Sequence, residues 1–221
     1  MILERIDSNK LITSIEKSFL SFLKGNDKCP YKSDSFRFLV IKSKISREMI
    51  EDFFSGLLNN MLIYRIDNLY LVFYNNKDRV EINNFVDMFN EDAGIKSLFF
   101  EGFLVKNTNL NHFVKFLDTF FNYFDFHNSY SKVSDLIFMV NDKKEELLVV
   151  KEALLDKYLN DNEFSNMLKA LFKNNLNVSK AANDLYMHRN TLNNKLNSFE
   201  DETTLSIQNF IDAVSLYELL K

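Results

Sequence analysis

Six polar residues near the C-terminal end of the sequence have side chains that suit hydrogen bonding to DNA bases. Arginine can donate two hydrogen bonds to guanine, asparagine can bond adenine through its amide, and the threonine methyl can contact thymine. Such side chains reach base edges when they occupy the first turns of a helix that enters the major groove. The six are Arg189, Asn190, Thr191, Asn193, Asn194 and Lys195.

The charge around these residues is positive, although the chain as a whole is acidic. The 221 residues include 27 Lys and Arg against 31 Asp and Glu, for a formal net charge of -4. Residues 169–195 contain five basic side chains and one acidic one, Asp184, for a net charge of +4. A positive surface on an acidic body suits phosphate contact. An alternative interpretation of the same basic residues is that they form a solvated helix face, in a chain that is rich in Asn and Lys throughout. The five are Lys169, Lys173, Lys180, Arg189 and Lys195.

The spacing of apolar residues predicts the helices that position these side chains. Residues 164–172 predict one helix, and Ser179 is the predicted N-cap of a short helix over residues 180–186. A longer helix then begins near residue 189 and buries Leu192 and Leu196. We expect His188 to cap or position the turn and to lie near a phosphate. A short helix, a tight turn and a longer helix predict a helix-turn-helix over residues 179–200.

Residues 177–200 read NVSKAANDLYMHRNTLNNKLNSFE. They resemble the C-terminal helix-turn-helix of the PucR/CdaR family of bacterial transcription regulators, whose pattern runs close to NVSxxAxxLxxHRNTLxxRLxxIE. The core RNTLNNKL is also similar to Fis-type DNA-binding domains. The resemblance implies DNA binding, with Lys180, His188 and Lys195 near phosphates and the other polar residues of the longer helix in the groove. The matching residues are Asn177, Val178, Ser179, Ala182, Leu185, His188, Arg189, Asn190, Thr191, Leu192, Leu196 and Glu200.

The sequence departs from the family pattern at several positions. The family usually has Arg-Tyr-Arg where this chain has residues 193–195, Asn-Asn-Lys, so positive charge is lost there. Glu202 and Thr204 replace what are commonly Leu and Gly, and the turn lacks its usual Gly. These differences leave two interpretations open. One is a weaker or differently specific DNA contact, and the other is a helix-turn-helix adaptor that acts through protein–protein contacts.

The N-terminal region predicts an α+β domain. Its first elements follow the order β-α-β-β-α-β, which is the split βαβ pattern of ferredoxin-like domains. The later elements predict a long aromatic helix, a strand and another helix. The predicted ranges are a helix over 2–24, a strand over 36–41, a helix over 46–58, strands over 61–66 and 69–74, a helix over 80–91, a strand over 95–105 with a bulge at Gly102, a helix over 110–126, a strand over 136–140 and a helix over 145–159.

The resemblance also implies a GGDEF-like N-terminal domain, because PucR/CdaR regulators often carry one. In active diguanylate cyclases the hairpin between the second and third strands holds two glycines and paired acidic residues. Residues 65–71 here read RIDNLYL and lack both features. A degenerate domain without cyclase activity is therefore expected, since paired carboxylates hold the metal ions for this chemistry.

Composition excludes several other classes. With only four glycines the chain has no Gly-rich phosphate loop, and its single cysteine, Cys29, excludes an intramolecular disulfide and a multi-cysteine zinc site. The three histidines show no metal-ligand spacing, and no apolar run is long enough for a membrane span. We expect a non-enzymatic, cytoplasmic protein without a cofactor, metal or membrane partner.

These observations predict an α+β fold in which a ferredoxin-like, degenerate GGDEF-like domain precedes an all-α helix-turn-helix domain. The predicted divisions are an amphipathic helix at 1–24, a regulatory and dimerisation domain at 36–142 and a DNA-binding domain at 143–221. The predicted function is that of a sequence-specific transcription regulator of the PucR/CdaR type. Its expected partners are double-stranded DNA, a second copy of the chain and an unidentified small-molecule effector, because one helix-turn-helix reads only a few base pairs.

Overall fold

A mixed β-sheet forms the centre of the N-terminal region in the computed structural model, which describes residues 2–6, 13–31, 34–75 and 80–221. Its strand order is β2-β3-β1-β4-β6, and β5 pairs with β1 beside β4. Every pair is antiparallel except β4 with β6, which is parallel. The strands are β1 (Ser35–Lys42), β2 (Leu62–Ile66), β3 (Leu69–Asn75), β4 (Leu98–Glu101), β5 (Val105–Lys106) and β6 (Tyr130–Lys132).

The first four strands confirm the predicted split βαβ pattern. They lie in the order β2-β3-β1-β4, so that β3 inserts antiparallel between β1 and β2. Asp67 and Asn68 make the predicted hairpin, and Asp67 adopts the left-handed conformation at φ 53°. The strand predicted over 95–105 is divided into β4 and β5, and the chain between them passes against the Phe38 ring at Gly102. A Cβ at Gly102 would lie 2.2 Å from that ring.

Helices cover both faces of the sheet. Alternate residues of β1 point to opposite faces, so Phe36 and Phe38 belong to one core cluster while Leu39 and Ile41 belong to another. The first cluster packs against α1 and α4, and the second packs against α2 and α3. The helices are α1 (Ser14–Leu23), α2 (Arg47–Phe54), α3 (Val86–Ala93) and α4 (Leu110–Tyr123).

The continuous helix predicted over residues 2–24 is wrong. The chain forms a 3₁₀ turn at Ile2–Arg5, and α1 begins only at Ser14. Thr13 is extended and caps α1, since its side chain accepts from the Glu16 backbone N–H and Glu16 bonds back to Thr13. This capping box starts a new helix at a position that periodicity places inside one helix. Residues 7–12 of the prediction lie outside the described residues.

The strand predicted over 136–140 is also wrong, because this segment lies in helix α5 (Val133–Met139). Asp135 accepts a hydrogen bond from the Lys132 backbone N–H and so caps the helix start. Val133, Leu136 and Ile137 are buried at helical spacing. A short apolar run does not distinguish a buried strand from a buried helix, so the sequence alone does not fix the structure of this segment.

The remaining chain is helical, as predicted. One continuous core cluster extends from Phe38 in the sheet to Leu192 and Leu216 near the C-terminal end. The proposed division near residue 142 stays a prediction, as does the relationship to GGDEF domains. No helix in the described ranges is long and apolar enough to cross a membrane. The helices are α6 (Lys144–Leu155), α7 (Asn162–Lys173), α8 (Val178–Asp184), α9 (Arg189–Thr203) and α10 (Phe210–Leu220).

Candidate nucleic-acid interface

Helices α8 and α9, with the turn between them, form the predicted helix-turn-helix. Ala181 and Ala182 of α8 are fully buried, and their small side chains let α9 approach closely. Leu192, Leu196 and Phe199 form the buried side of α9. The opposite side of α9 is left to solvent, which is the arrangement that a recognition helix requires.

The N-cap of α8 is Asn177, so the prediction of Ser179 is wrong. Asn177 is extended, and its side-chain oxygen accepts a 3.0 Å hydrogen bond from the Lys180 backbone N–H. Ser179 is already the second helical residue. A cap must sit outside the helix to reach the free N–H groups of the first turn, and Asn is as effective a cap as Ser.

The turn contains a tyrosine in a conformation that glycine usually adopts. Tyr186 has φ 52° and follows Leu185, the C-cap of α8. The residue is 98% exposed, so packing against the described residues does not compensate for the backbone strain. The Met187 backbone N–H still closes the turn with a 3.0 Å bond to the Ala182 carbonyl.

His188 is the N-cap of α9, which confirms the expected positioning role. Its backbone is extended, and its Nδ1 accepts from the Asn190 backbone N–H at 3.2 Å. An accepting Nδ1 places the proton of the neutral imidazole on Nε2. The exposed ring therefore has a donor available for an external acceptor.

The structure brings the eight predicted DNA-binding residues onto one helix-turn-helix. Seven lie on the N-cap and first two turns of α9, and Lys180 lies in the first turn of α8. Asn193 and Lys195 are half-buried, and the others are exposed. The exposed residues are Lys180, His188, Arg189, Asn190, Thr191 and Asn194.

Two ion pairs reduce the positive charge of this surface. Lys195 Nζ lies 3.0 Å from Glu163 Oε2, and Lys173 Nζ lies 3.1 Å from Asp184 Oδ2. Hydrogen bonds from Asn174 and Lys173, together with the Lys173 charge, lower the pKa of Asp184. Within the described ranges, three cations of the segment carry no ion pair. They are Lys169, Lys180 and Arg189.

Glu202 connects the C-terminal end of α9 to the preceding part of the chain through two ion pairs and a backbone hydrogen bond. Its carboxylate pairs with Lys157 at 2.7 Å and with Lys106 at 3.2 Å, and its carbonyl accepts from the Leu104 N–H at 2.8 Å. Burial alone would raise the pKa of Glu202, but the hydrogen bonds and charges of both lysines lower it. From the sequence, Glu202 is a departure from the family pattern and part of an acidic run, residues 200–202, whose simplest interpretation is a solvated helix face; for Glu202 that interpretation is wrong, because its side chain is 20% exposed and paired with two lysines. Its partners lie 96 and 45 positions away, which no local pattern reveals.

Thr204 ends α9 in the left-handed conformation, with φ 63°. This is a position where the resembled family commonly has glycine, which adopts positive φ without a Cβ clash. Threonine at this positive φ carries backbone strain that glycine would not.

Comparison with known proteins supports the assignment of this region. Residues 165–221 match the family model described as the PucR C-terminal helix-turn-helix domain. No curated protein matches the chain. Among solved structures, the regulator of polyketide synthase expression from Bifidobacterium adolescentis is 13% identical with a TM-score of 0.43, over 99% of this chain and 94% of that chain. The family match and the observed helices together identify residues 165–221 as a PucR-type C-terminal helix-turn-helix domain.

Proposed function

We propose that the protein is a sequence-specific transcription regulator of the PucR/CdaR type, whose helix α9 enters the major groove of double-stranded DNA. One observation carries the proposal. The first turns of α9 expose Arg189, Asn190 and Thr191, while Leu192 and Leu196 hold the back of the helix in the core. Side chains at the N-terminal end of a recognition helix are those that contact base edges.

The polar residues divide into two roles. Five side chains at the start of α9 face bases or the groove wall, where Arg and Asn can each make bidentate contacts. Lys180, His188 and Lys195 contact phosphates, and the Nε2–H of His188 is the donor of its ring. The five are Arg189, Asn190, Thr191, Asn193 and Asn194.

The active species is proposed to be a cytoplasmic homodimer, because one helix-turn-helix reads too few base pairs to select a site. Residues 36–142 would provide dimerisation and effector sensing, and residues 143–221 would bind DNA. The proposal assigns no catalysis, metal or cofactor to the chain.

Selection of bound genomic fragments tests the proposal and identifies target sites. Two subunits that each neutralise two phosphates, through Lys180 and Lys195, give a salt slope of about -3.6, so affinity should fall about 150-fold between about 50 and 200 mM salt. Arg189→Ala should abolish selection of specific fragments. Lys115→Ala on α4 is the matched control, because it removes one exposed positive charge away from α9. Retained specific binding by Arg189→Ala would contradict the proposal.

An adaptor without specific DNA binding is the second candidate, and exposed apolar side chains on α10 favour it. Phe210, Ile211 and Tyr217 are 75%, 55% and 50% exposed. Exposed apolar surface of this kind is typical of protein interaction sites. The two candidates differ in salt dependence: if wild-type protein shows no salt-dependent selection of genomic fragments, the adaptor function is supported instead.

A further inference from the structure

Tyr186, in the turn between α8 and α9, is the most exposed large apolar residue in the part of the chain that the structure describes. It is 98% exposed, and Phe210 on α10 follows at 75%. At that exposure the ring buries almost no surface against the described residues. The side chain therefore contributes little to the stability of the folded chain, because such stabilisation is proportional to the apolar area removed from water.

The backbone conformation makes tyrosine a costly residue at this position. Its φ of 52° lies in the left-handed region, where a Cβ is crowded by the following carbonyl. Asn and Asp tolerate this region because their short polar side chains bond locally, and tyrosine has no such side chain. Strained residues of this kind cluster at ligand-contacting sites, so Tyr186 points to a role outside the fold. Four others at positive φ in the described ranges are Asp or Asn, namely Asp34, Asn60, Asp67 and Asn175.

Two backbone hydrogen bonds hold the turn that carries the ring. The Tyr186 N–H donates to the Asn183 carbonyl at 3.1 Å, and the Met187 N–H donates to the Ala182 carbonyl at 3.0 Å. Ala182 is 1% exposed, so the turn is anchored in the core. The backbone at Tyr186 is therefore ordered before any partner binds, which lowers the entropy cost of a contact made by this residue.

Tyr186 lies at the end of α9 that carries the side chains proposed to bind DNA. His188 caps α9 two residues later and has an available Nε2–H donor, and Arg189 is the first residue of the helix. Asp184 is the only acidic residue in the sequence between 177 and 199. Its carboxylate is paired with Lys173 at 3.1 Å, so its charge is compensated. The chain on both sides of the ring therefore suits an anionic partner.

We propose that Tyr186 contacts the sugar–phosphate backbone of DNA. Its hydroxyl donates a hydrogen bond to a phosphate oxygen, and its ring packs on the adjoining deoxyribose. Tyrosine is among the side chains that make phosphate contacts in protein–DNA complexes, and such contacts fix the register of the protein on the duplex. This inference rests on the proposed DNA binding but not on its sequence specificity, because a phosphate contact carries no sequence information.

Fluorescence anisotropy with the full chain tests the contact, using a genomic fragment recovered by selection and an unrelated fragment of equal length. Tyr186→Phe removes only the hydroxyl. Loss of one hydrogen bond, at about threefold per subunit, predicts about tenfold weaker binding by a dimer. Both fragments should lose affinity to the same extent, and the salt dependence should not change, because tyrosine carries no charge.

Tyr186→Gly removes the ring as well and relieves the backbone strain. This variant should bind DNA more weakly than Tyr186→Phe and yet unfold at a higher urea concentration than wild type. A residue with a purely structural role would not change affinity and stability in opposite directions. Asn60→Gly is the matched control, since it places glycine at another exposed position with φ 53°, in the turn before β2, and should leave DNA affinity unchanged.

Ethylation interference locates the contacted phosphate. An ethyl group on at least one phosphate of the site should weaken binding by wild type more than binding by Tyr186→Phe. Wild-type affinity for Tyr186→Phe, or the same interference pattern for both proteins, would overturn the contact and leave the proposed function intact. Equal affinity for the two fragments, reduced by Tyr186→Phe, would support the contact and refute sequence-specific binding. A wild-type chain that binds neither fragment would overturn both proposals.

Discussion

Replacing Glu163 by glutamine should strengthen DNA binding. In the free protein Lys195 is paired with Glu163 at 3.0 Å, and contact with a phosphate requires Lys195 to leave that partner. The side chains of Lys195 and Glu163 are 39% and 60% exposed, so the pair is worth about 0.2–1 kcal/mol. That range corresponds to a gain of about 1.4- to 5-fold for one subunit and about 2- to 30-fold for a dimer.

The assay is fluorescence anisotropy with a labelled fragment from the genomic selection, at low and physiological salt. The gain should be larger at low salt, because exposed charges are screened as salt increases. Glu145→Gln is the matched control, since Glu145 occupies the first turn of α6 as Glu163 occupies the first turn of α7. In a Lys195→Ala background most of the gain should disappear. An unchanged or weaker affinity for Glu163→Gln in the wild-type background would refute a phosphate contact by Lys195.

Five further substitutions test the local structure. Tyr186→Gly should raise the free energy of unfolding by about 0.5–1 kcal/mol in urea denaturation, because glycine adopts positive φ without a clash, although it also gains entropy in the unfolded state. Thr204→Gly should be less stabilising than Tyr186→Gly, because the Thr204 hydroxyl donates a 2.6 Å hydrogen bond to the Thr203 carbonyl that glycine would lose. The opposite order of the two variants would contradict this reasoning. Asn177→Ala should cost about 1 kcal/mol, whereas Ser179→Ala should change stability by less than about 0.5 kcal/mol, and the reverse order would contradict the assigned cap. Because the folded-state pKa of Glu202 is lowered, its stabilising contribution is present above the unfolded pKa and is lost as pH falls through the lower folded value. The stability difference between wild type and Glu202→Gln should therefore shrink as the pH of chemical denaturation is lowered, and a difference independent of pH would exclude this ionic role.

The polar network at the end of α9 connects the two parts of the chain. Glu202 is paired with Lys106 of β5 and with Lys157 after α6, while Asp201 accepts from Arg37 of β1. A helix held at its C-terminal end keeps its N-terminal turns in a defined orientation toward a partner. Direct contacts therefore connect the sheet region to the helix that carries the residues proposed to bind DNA.

The helix-turn-helix was predictable because its signals are local. Apolar spacing at Leu192 and Leu196 predicts the buried side of α9, and none of the polar residues between them is buried. The strand predicted at residues 136–140 is wrong because the local signal there is ambiguous: its few apolar residues fit both the period of a strand and that of a helix. Helix formation there depends on burial against the sheet and on the Asp135 cap.

The amino-acid sequence alone predicts the order of most elements, the helix-turn-helix and the net charge of +4 over residues 169–195. These properties follow from periodicity and composition within short stretches of chain. Which of these charged side chains are paired, and with which partners, depends on the tertiary structure. It places Glu163 beside Lys195 and Lys106 beside Glu202. Ion pairs depend on distances between residues that are far apart in sequence, and those distances exist only once the chain has folded.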